Sequence, residues 1–303
     1  MSFAGIIASP PELSESQKAA LLKLLGDEDA SVYQAVREKI LSYGPPAAEW
    51  LRPHTLSREP ALRRRAQELV LRFDAQLADN HFLSFCLKQG EDCDLEQGAW
   101  LLAQTQYPDI NVDGYKAVLD SFARDLRERL ELGAARFGGQ EHLSAGIEPE
   151  KVLTGINQYL FSELGFTGNE KNYYDPENSY LNRVLDRRTG NPINLCLVYM
   201  LLARRLHLPV TGIGLPGHFV CRFQSIAREL YIDAFNRGKL LTKADCIQYL
   251  LQGNYSVRDD YLAPVSPRRM LLRICANVHQ IYLQLEKEEP ATRLQRYLVA
   301  LAR

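Results

Sequence analysis

The residue types capable of acid–base chemistry converge on one short stretch. HFVCRF (218–223) and ELYID (229–233) are rich in β-branched and aromatic residues and read as adjacent strands. If QSIA (224–227) is a four-residue hairpin loop, Phe219 falls opposite Ile232 and Cys221 opposite Leu230, on an apolar face. The other face then carries Val220 by Tyr231, Arg222 by Glu229 and His218 by Asp233. A carboxylate beside an imidazole orients it as a base, which is half of a nucleophilic triad. The same juxtaposition is also what an exposed cross-strand ion pair looks like.

A triad needs a nucleophile, and the six cysteines (86, 93, 196, 221, 246, 275) are scattered, with no C-x-x-C pair and no zinc-like spacing. Cys196 lies in an apolar run, where a small buried hydrophobe is the ordinary role. Strand alternation points Cys221 away from His218. Cys86 and Cys93 fall in the helical half, Cys246 and Cys275 follow the hairpin, and nothing in the sequence groups these four with His218. One His with one carboxylate is too few ligands for tight zinc binding, so neither metal nor cofactor is expected.

The elements that must position the pair begin upstream. In RRTGNPINLCLVYMLLARRLHLPV, Asn191 before Pro192 is a helix start: the Asn side chain caps exposed amides, and Pro at the first position gives up an amide without a partner. The run Leu195–Ala203 leaves no polar face, which places this helix at the centre of a domain. Before it, a helix over 150–164, the polar loop GFTGNEKNYYDPENS and a short helix opened by Asn178 or Ser179 are expected. After it come three strands, PVTGIG (209–214) and the two above, with Leu215-Pro216-Gly217 as a type II turn.

The rest reads as helix. Val32, Val36, Ile40, Leu41 and Tyr43 match Leu62, Ala66, Val70, Leu71 and Phe73 at a constant offset, a pattern that looks like a pair of HEAT-like repeats. Further helices are expected over SQKAALLKLLG (16–26), with Ser14 or Ser16 as cap and Gly26 as its end, at 95–104, 112–132 and, with Ser266 as cap and Pro290 as separator, over the last 38 residues. The basic stretch Arg58–Arg72 has no interleaved aromatic residues and reads as a solvated helix face. FGGQEHLSAGIEPE (137–150) reads as a linker. The organisation is therefore a helical region 1–136, a linker 137–149, a core 150–264 and a helical pair 265–303.

With 36 Lys and Arg against 37 Asp and Glu among 303 residues, no global field favours nucleic acid or an anionic membrane. The apolar runs, Phe3–Ala8 and Leu195–Ala203, are too short for a secretory leader or a membrane span. The expectation is a soluble cytoplasmic protein with reduced thiols and a protein or peptide partner.

RRTGNPI, GLPGHF and IDAFNRG together resemble the transglutaminase-like core of SirB-type bacterial proteins, found also in some eukaryotic F-box proteins; the resemblance covers about residues 95–290. It implies a papain-like α+β fold with a buried central helix facing an antiparallel sheet, and His218 and Asp233 fall where the family carries the His and Asp of a Cys-His-Asp triad. It also implies that the nucleophilic Cys belongs in the first turn of the central helix, where amides and the helix dipole stabilise a thiolate. That position is Pro192. Cys196 sits one turn later, displaced by about 6 Å along the axis. The helical tail looks like the start of a tetratricopeptide-type repeat.

Asn191, Asn236, Arg237 and Tyr174 are the candidate binding residues around the pair. Two functions follow: a regulatory or interaction module whose catalytic site is degenerate because Pro192 replaces the nucleophile, or a thiol hydrolase or acyltransferase acting on an amide or thioester through Cys196, His218 and Asp233.

Overall fold

The computed structural model describes residues 13–130, 148–225, 228–256 and 258–303. The apolar run at Phe3–Ala8 and most of the 137–149 linker lie outside the described residues. The chain divides into two compact units, one of residues 1–81 with 104–109, the other of 82–103 with 110–303.

The first unit is helical. Helix α1 (Glu15–Leu25) opens with a capping box in which Ser14 and Gln17 satisfy each other's backbone amides. Helix α2 (Ala30–Ser42) is capped by Asp29, and α3 (Ala47–Leu51) leads by a 3₁₀ turn into α4 (Pro60–Lys88). The two segments matched at constant offset are α2 and the start of α4. Val36, Ile40, Leu62, Val70 and Phe73 join one core with Leu25 and Leu51. The basic stretch is only partly a solvated face. Arg58, Arg64 and Arg72 are exposed, but Arg63 donates to the Ser57 carbonyl and Arg65 to that of Leu25, its guanidinium lying 4.2 Å from the Tyr33 ring centroid.

The second unit is a mostly helical α+β structure with a small antiparallel sheet. Helices α5 (Leu95–Gln106), α6 (Val112–Arg129) and α7 (Pro149–Asn157) precede it in sequence. The helix expected over 150–164 changes form at Gln158, where a π-helical turn runs to Glu163. The polar loop that follows contains β1 (Thr167–Gly168), which pairs in parallel with β2 (Thr189–Gly190) on the far side of α8 (Leu181–Arg187). Neither Asn178 nor Ser179 caps α8; Tyr180 is its N-cap residue, without a side-chain hydrogen bond. Asn178 is instead buried and donates to the carbonyls of Asn172 and Tyr173, which ties down the loop ahead of it.

Helix α9 (Pro192–Arg205) is the buried central helix. Every residue from Pro192 to Tyr199 is buried, as the absence of a polar face requires. Asn191 starts it as expected, its Oδ1 accepting from the backbone N of Asn194 at 3.0 Å. Strands β3 (Val210–Ile213), β4 (Val220–Gln224), β5 (Glu229–Asp233) and β6 (Lys239–Leu241) form the sheet in that order. The fourth strand is an addition to the three read from sequence; it is only three residues long and follows a tight turn. Helix α10 (Lys243–Gln252) packs on β5 and β6, and α11 (Pro267–Gln284) and α12 (Glu288–Leu301) close the chain. Ser266 caps α11. Pro290 lies inside the first turn of α12, and the break between the two helices falls at Leu285–Lys287.

The hairpin register is shifted by two residues from the expected one. Cys221 faces Ile232 rather than Leu230, and Arg222 faces Tyr231 rather than Glu229. The turn is centred one residue later than expected: Gln224 pairs with Glu229, and Ser225 N donates to the Arg228 carbonyl at 2.8 Å in continuation of that pairing. A two-residue shift preserves which face each side chain occupies, so His218 and Asp233 still share a face, but as diagonal neighbours.

Asn191 joins helix start to loop, because its Nδ2 also donates to Ser179 Oγ at 3.0 Å. Asn191→Ala removes a cap and leaves a buried hydroxyl without its donor, and should cost about 2 kcal/mol or more. Urea unfolding monitored by circular dichroism should show the midpoint falling accordingly.

Candidate functional site

The turn that carries His218 is built from a Pro-Gly pair. Gly217 sits at φ +73°, and His218 N donates to Leu215 O at 3.1 Å, which is the expected type II turn. Two side chains hold this turn. Arg273 of α11 donates through Nη2 to the carbonyls of Leu215 (2.8 Å) and His218 (2.7 Å), and Tyr249 of α10 donates to Pro216 O at 3.3 Å. Burial lowers the pKa of Arg273, opposed by the nearby Tyr173, Tyr249 and Cys196, yet an arginine so placed stays charged. Neither residue was singled out by sequence reasoning. Both lie far along the chain from the motif they support.

His218 Nε2 lies 3.0 Å from Asp233 Oδ2, with both side chains largely buried. Among the described residues Nε2 has no aligned hydrogen-bond partner, so the contact is one of proximity. Asp233 is held more firmly by Asn236, whose Nδ2 donates to Oδ2 at 2.7 Å and whose backbone N donates to Oδ1 at 3.2 Å. Burial by itself raises the Asp233 pKa, but the interactions with His218 and Asn236 outweigh it and leave the carboxyl below its usual range. The imidazole is enclosed by rings, with Phe235 edge-on at 6.2 Å and Tyr249 tilted at 5.7 Å. Tyr173 packs on Phe235, and Tyr174 packs on Tyr173.

His218, Asp233 and Asn236 line a cleft of about 640 Å³ together with Phe235, Tyr249 and Cys246. A neighbouring cleft of about 730 Å³ shares Phe235 and Asn236 with it and adds Arg237 and Lys171. A shallower depression lined by Tyr173, Tyr174 and Leu285 shares Lys171 and Asn172 with the second cleft. The three lie side by side along these shared residues, a groove divided by Phe235 and Asn236. Of the candidate residues, it gathers His218, Asp233, Asn236, Arg237 and Tyr174.

Asn191 and Cys196 are not gathered. Asn191 is buried and fully engaged with Asn194 and Ser179. Cys196 is 0% exposed and its Sγ donates to Phe219 O at 3.5 Å, on the packed side of the sheet. Burial, then the adjacent Cys221 and the charge of Asp233, push its thiol well above the ordinary value. Cys221 is also 0% exposed and donates to Cys196 O at 3.6 Å. Cys246, which nothing in the sequence linked to His218, is the one thiol lining the His218 cleft among the described residues. It is 1% exposed, and burial followed by the charges of Asp245, Asp233 and Glu229 pushes it up to about 12. Its capture by α10 could not be seen in one dimension, because the helix folds back across the sheet.

Among the described residues no group of three or more His, Cys, Asp or Glu could hold a metal ion, and no helix is long and apolar enough to cross a membrane.

Residues 113–276, which contain the groove, match the family model of the transglutaminase-like superfamily. The chain belongs to this superfamily. It is 34% identical over 209 residues to a UPF0162 protein of Xylella fastidiosa strain Temecula1, covering 67% of this chain and 70% of that one. It is 37% identical over 147 residues to F-box only protein 21 of Mus musculus, covering 46% and 22%. To protein SirB1 of Salmonella typhimurium it is 28% identical over 118 residues, covering 39% and 43%. No solved structure matches it.

In this transglutaminase-like chain the lowered Asp233 pKa has a signed consequence for stability. A carboxyl depressed in the folded state contributes stability above its unfolded value, near 3.9, and loses it as pH falls through the folded value. Asp233→Asn should therefore be less stable than the parent at neutral pH, and the difference should vanish as the pH drops below about 4. Urea midpoints of both proteins across an acid pH series check this.

Proposed function

We propose that this chain is a regulatory interaction module of the transglutaminase-like superfamily, which binds an extended segment of a partner protein in the groove without forming a covalent intermediate. The observation that carries this reading is the state of the thiols. Pro192 occupies the first turn of the central helix, and Cys196, Cys221 and Cys246 are at most 1% exposed. A nucleophilic cysteine has to be a thiolate with access to substrate, and burial opposes both.

The groove itself supports binding. Its floor combines rigid aromatic rings with the polar groups of Asn236 and the His218–Asp233 pair, a mixture suited to peptide recognition. Half-exposed Tyr173 and Tyr249 and the more exposed Tyr174 add contact area at low conformational cost. The pair and its neighbour orient a ligand through hydrogen bonds from Asn236 and from the His218 nitrogen that does not face Asp233.

The second reading is a thiol hydrolase or acyltransferase with Cys196 as nucleophile, His218 as base and Asp233 as orienter. One observation favours it: Cys196 touches the backbone of Phe219 and interacts with that of Ala234, each next in sequence to a member of the pair. It requires the strand–helix packing to open.

The purified protein should turn over neither amide nor thioester substrates in a thiol-dependent way, and iodoacetamide should leave Cys196, Cys221 and Cys246 unlabelled by mass spectrometry until the protein is denatured. Turnover abolished separately by Cys196→Ala and His218→Ala would replace the first reading with the second.

A further inference from the structure

The second cleft of the groove has a chemistry of its own. Lys171, Arg187 and Arg237 all line it, together with the hydroxyl residues Thr167 and Thr189. Arg187 is answered by Asp175 and Glu177, each at 2.8 Å. Lys171 and Arg237 have no ion-pair partner among the described residues, and the one acidic residue lining the cleft is Glu170. Two uncommitted cations thus face a cavity that adjoins the His218 cleft across Phe235.

Arg237 is also held in a conformation that its side chain disfavours. Lys239 N donates to Asn236 O at 3.2 Å, with φ +56° at Arg237 and +75° at Gly238, which is a type I′ turn. The first central position of such a turn favours Asn, Asp or Gly, because a longer L side chain is strained there. Surrounding contacts enforce the turn: Asn157 Nδ2 donates to Gly238 O at 2.6 Å, and Gly238 N donates to Asp233 O at 2.8 Å. Arg237 thus occupies a backbone position that Asn would relieve of strain, and its side chain lines a cleft whose one acidic lining residue is Glu170.

We infer that this cleft binds the carboxylates of an acidic segment in the partner peptide. The inference rests on the peptide-groove reading above and deepens it. Carboxylate side chains fit better than a phosphate group, because phosphate sites are usually cradled by free backbone amides. Here the lining amides Thr167 N, Asn169 N, Asn172 N and Asn236 N are spent on partners within the chain. Cationic side chains remain in the lining, and these suit the Asp or Glu side chains of an extended chain.

The test is to pan a random-peptide display library on the immobilised full-length protein and, in parallel, on the Lys171→Glu/Arg237→Glu double variant. Both altered side chains are exposed, and circular dichroism verifies folding. Peptides selected by the parent should be enriched in Asp and Glu over the input library. They should lose about tenfold or more in affinity for the variant, weaken as salt rises, and resist competition by inorganic phosphate. Arg237→Asn should raise the melting temperature while weakening the same peptides, which separates ligand binding from a structural role. Peptides selected without acidic enrichment, or bound equally by parent and double variant, overturn the inference but leave the groove reading standing if Phe235→Ala weakens them. Competition by phosphate at comparable strength also overturns it in favour of a small-anion site. A parent protein that selects no peptides overturns the groove reading and this inference together.

Discussion

A helix without a polar face has to be surrounded, and the arrangement of the second unit follows from that requirement on α9. Residues Pro192 to Tyr199 are all buried, so elements must cover the helix on every side, and α6, α8, α11 and the sheet pack against it. Phe161 from the π-helical turn stacks on Tyr199, and Phe219, Cys221 and Phe223 of the sheet hairpin are buried. The same enclosure decides the chemistry. A thiol one turn into such a helix is sealed by the packing that makes the helix possible, so Cys196 contributes volume and a weak hydrogen bond rather than a thiolate.

Around this core the polar residues are organised by few contacts with large leverage. Arg273, half-buried on α11, holds the carbonyls on both sides of the Pro-Gly turn and so positions the backbone from which His218 projects. Asn236 satisfies both oxygens of Asp233, which keeps the carboxylate ionised in a largely buried place. Gly168 lets β1 approach Phe235; a Cβ there would come within 2.6 Å of the ring. The wall between the two clefts therefore depends on a glycine in a two-residue strand.

Sequence patterns made the central helix, its Asn191 start, the Pro-Gly turn and the His218–Asp233 association legible, because each is governed by local rules or by the two-residue period of a strand. The register escaped, since moving the centre of the turn by one residue shifts every partner by two and leaves the face pattern intact. Cys246, Tyr249, Arg273 and Lys171 escaped for another reason. They reach the site from α10, α11 and a loop whose course is set by packing, and no spacing rule links them to residue 218. Asn191 shows the converse: a residue correctly placed at the helix start is engaged in structure, not presented to a ligand.

By itself the sequence determined the class of elements, the presence of a buried helix opened by Asn-Pro, and a His and an Asp on one face of a hairpin. These depend on residue type and period, which are one-dimensional. The tertiary structure alone decided which thiols have access, which side chains wall the groove and which cations are left without partners. Access and charge pairing are properties of what packs from elsewhere in the chain, and here that packing buries Cys196, Cys221 and Cys246 while leaving Lys171 and Arg237 without an ion-pair partner among the described residues.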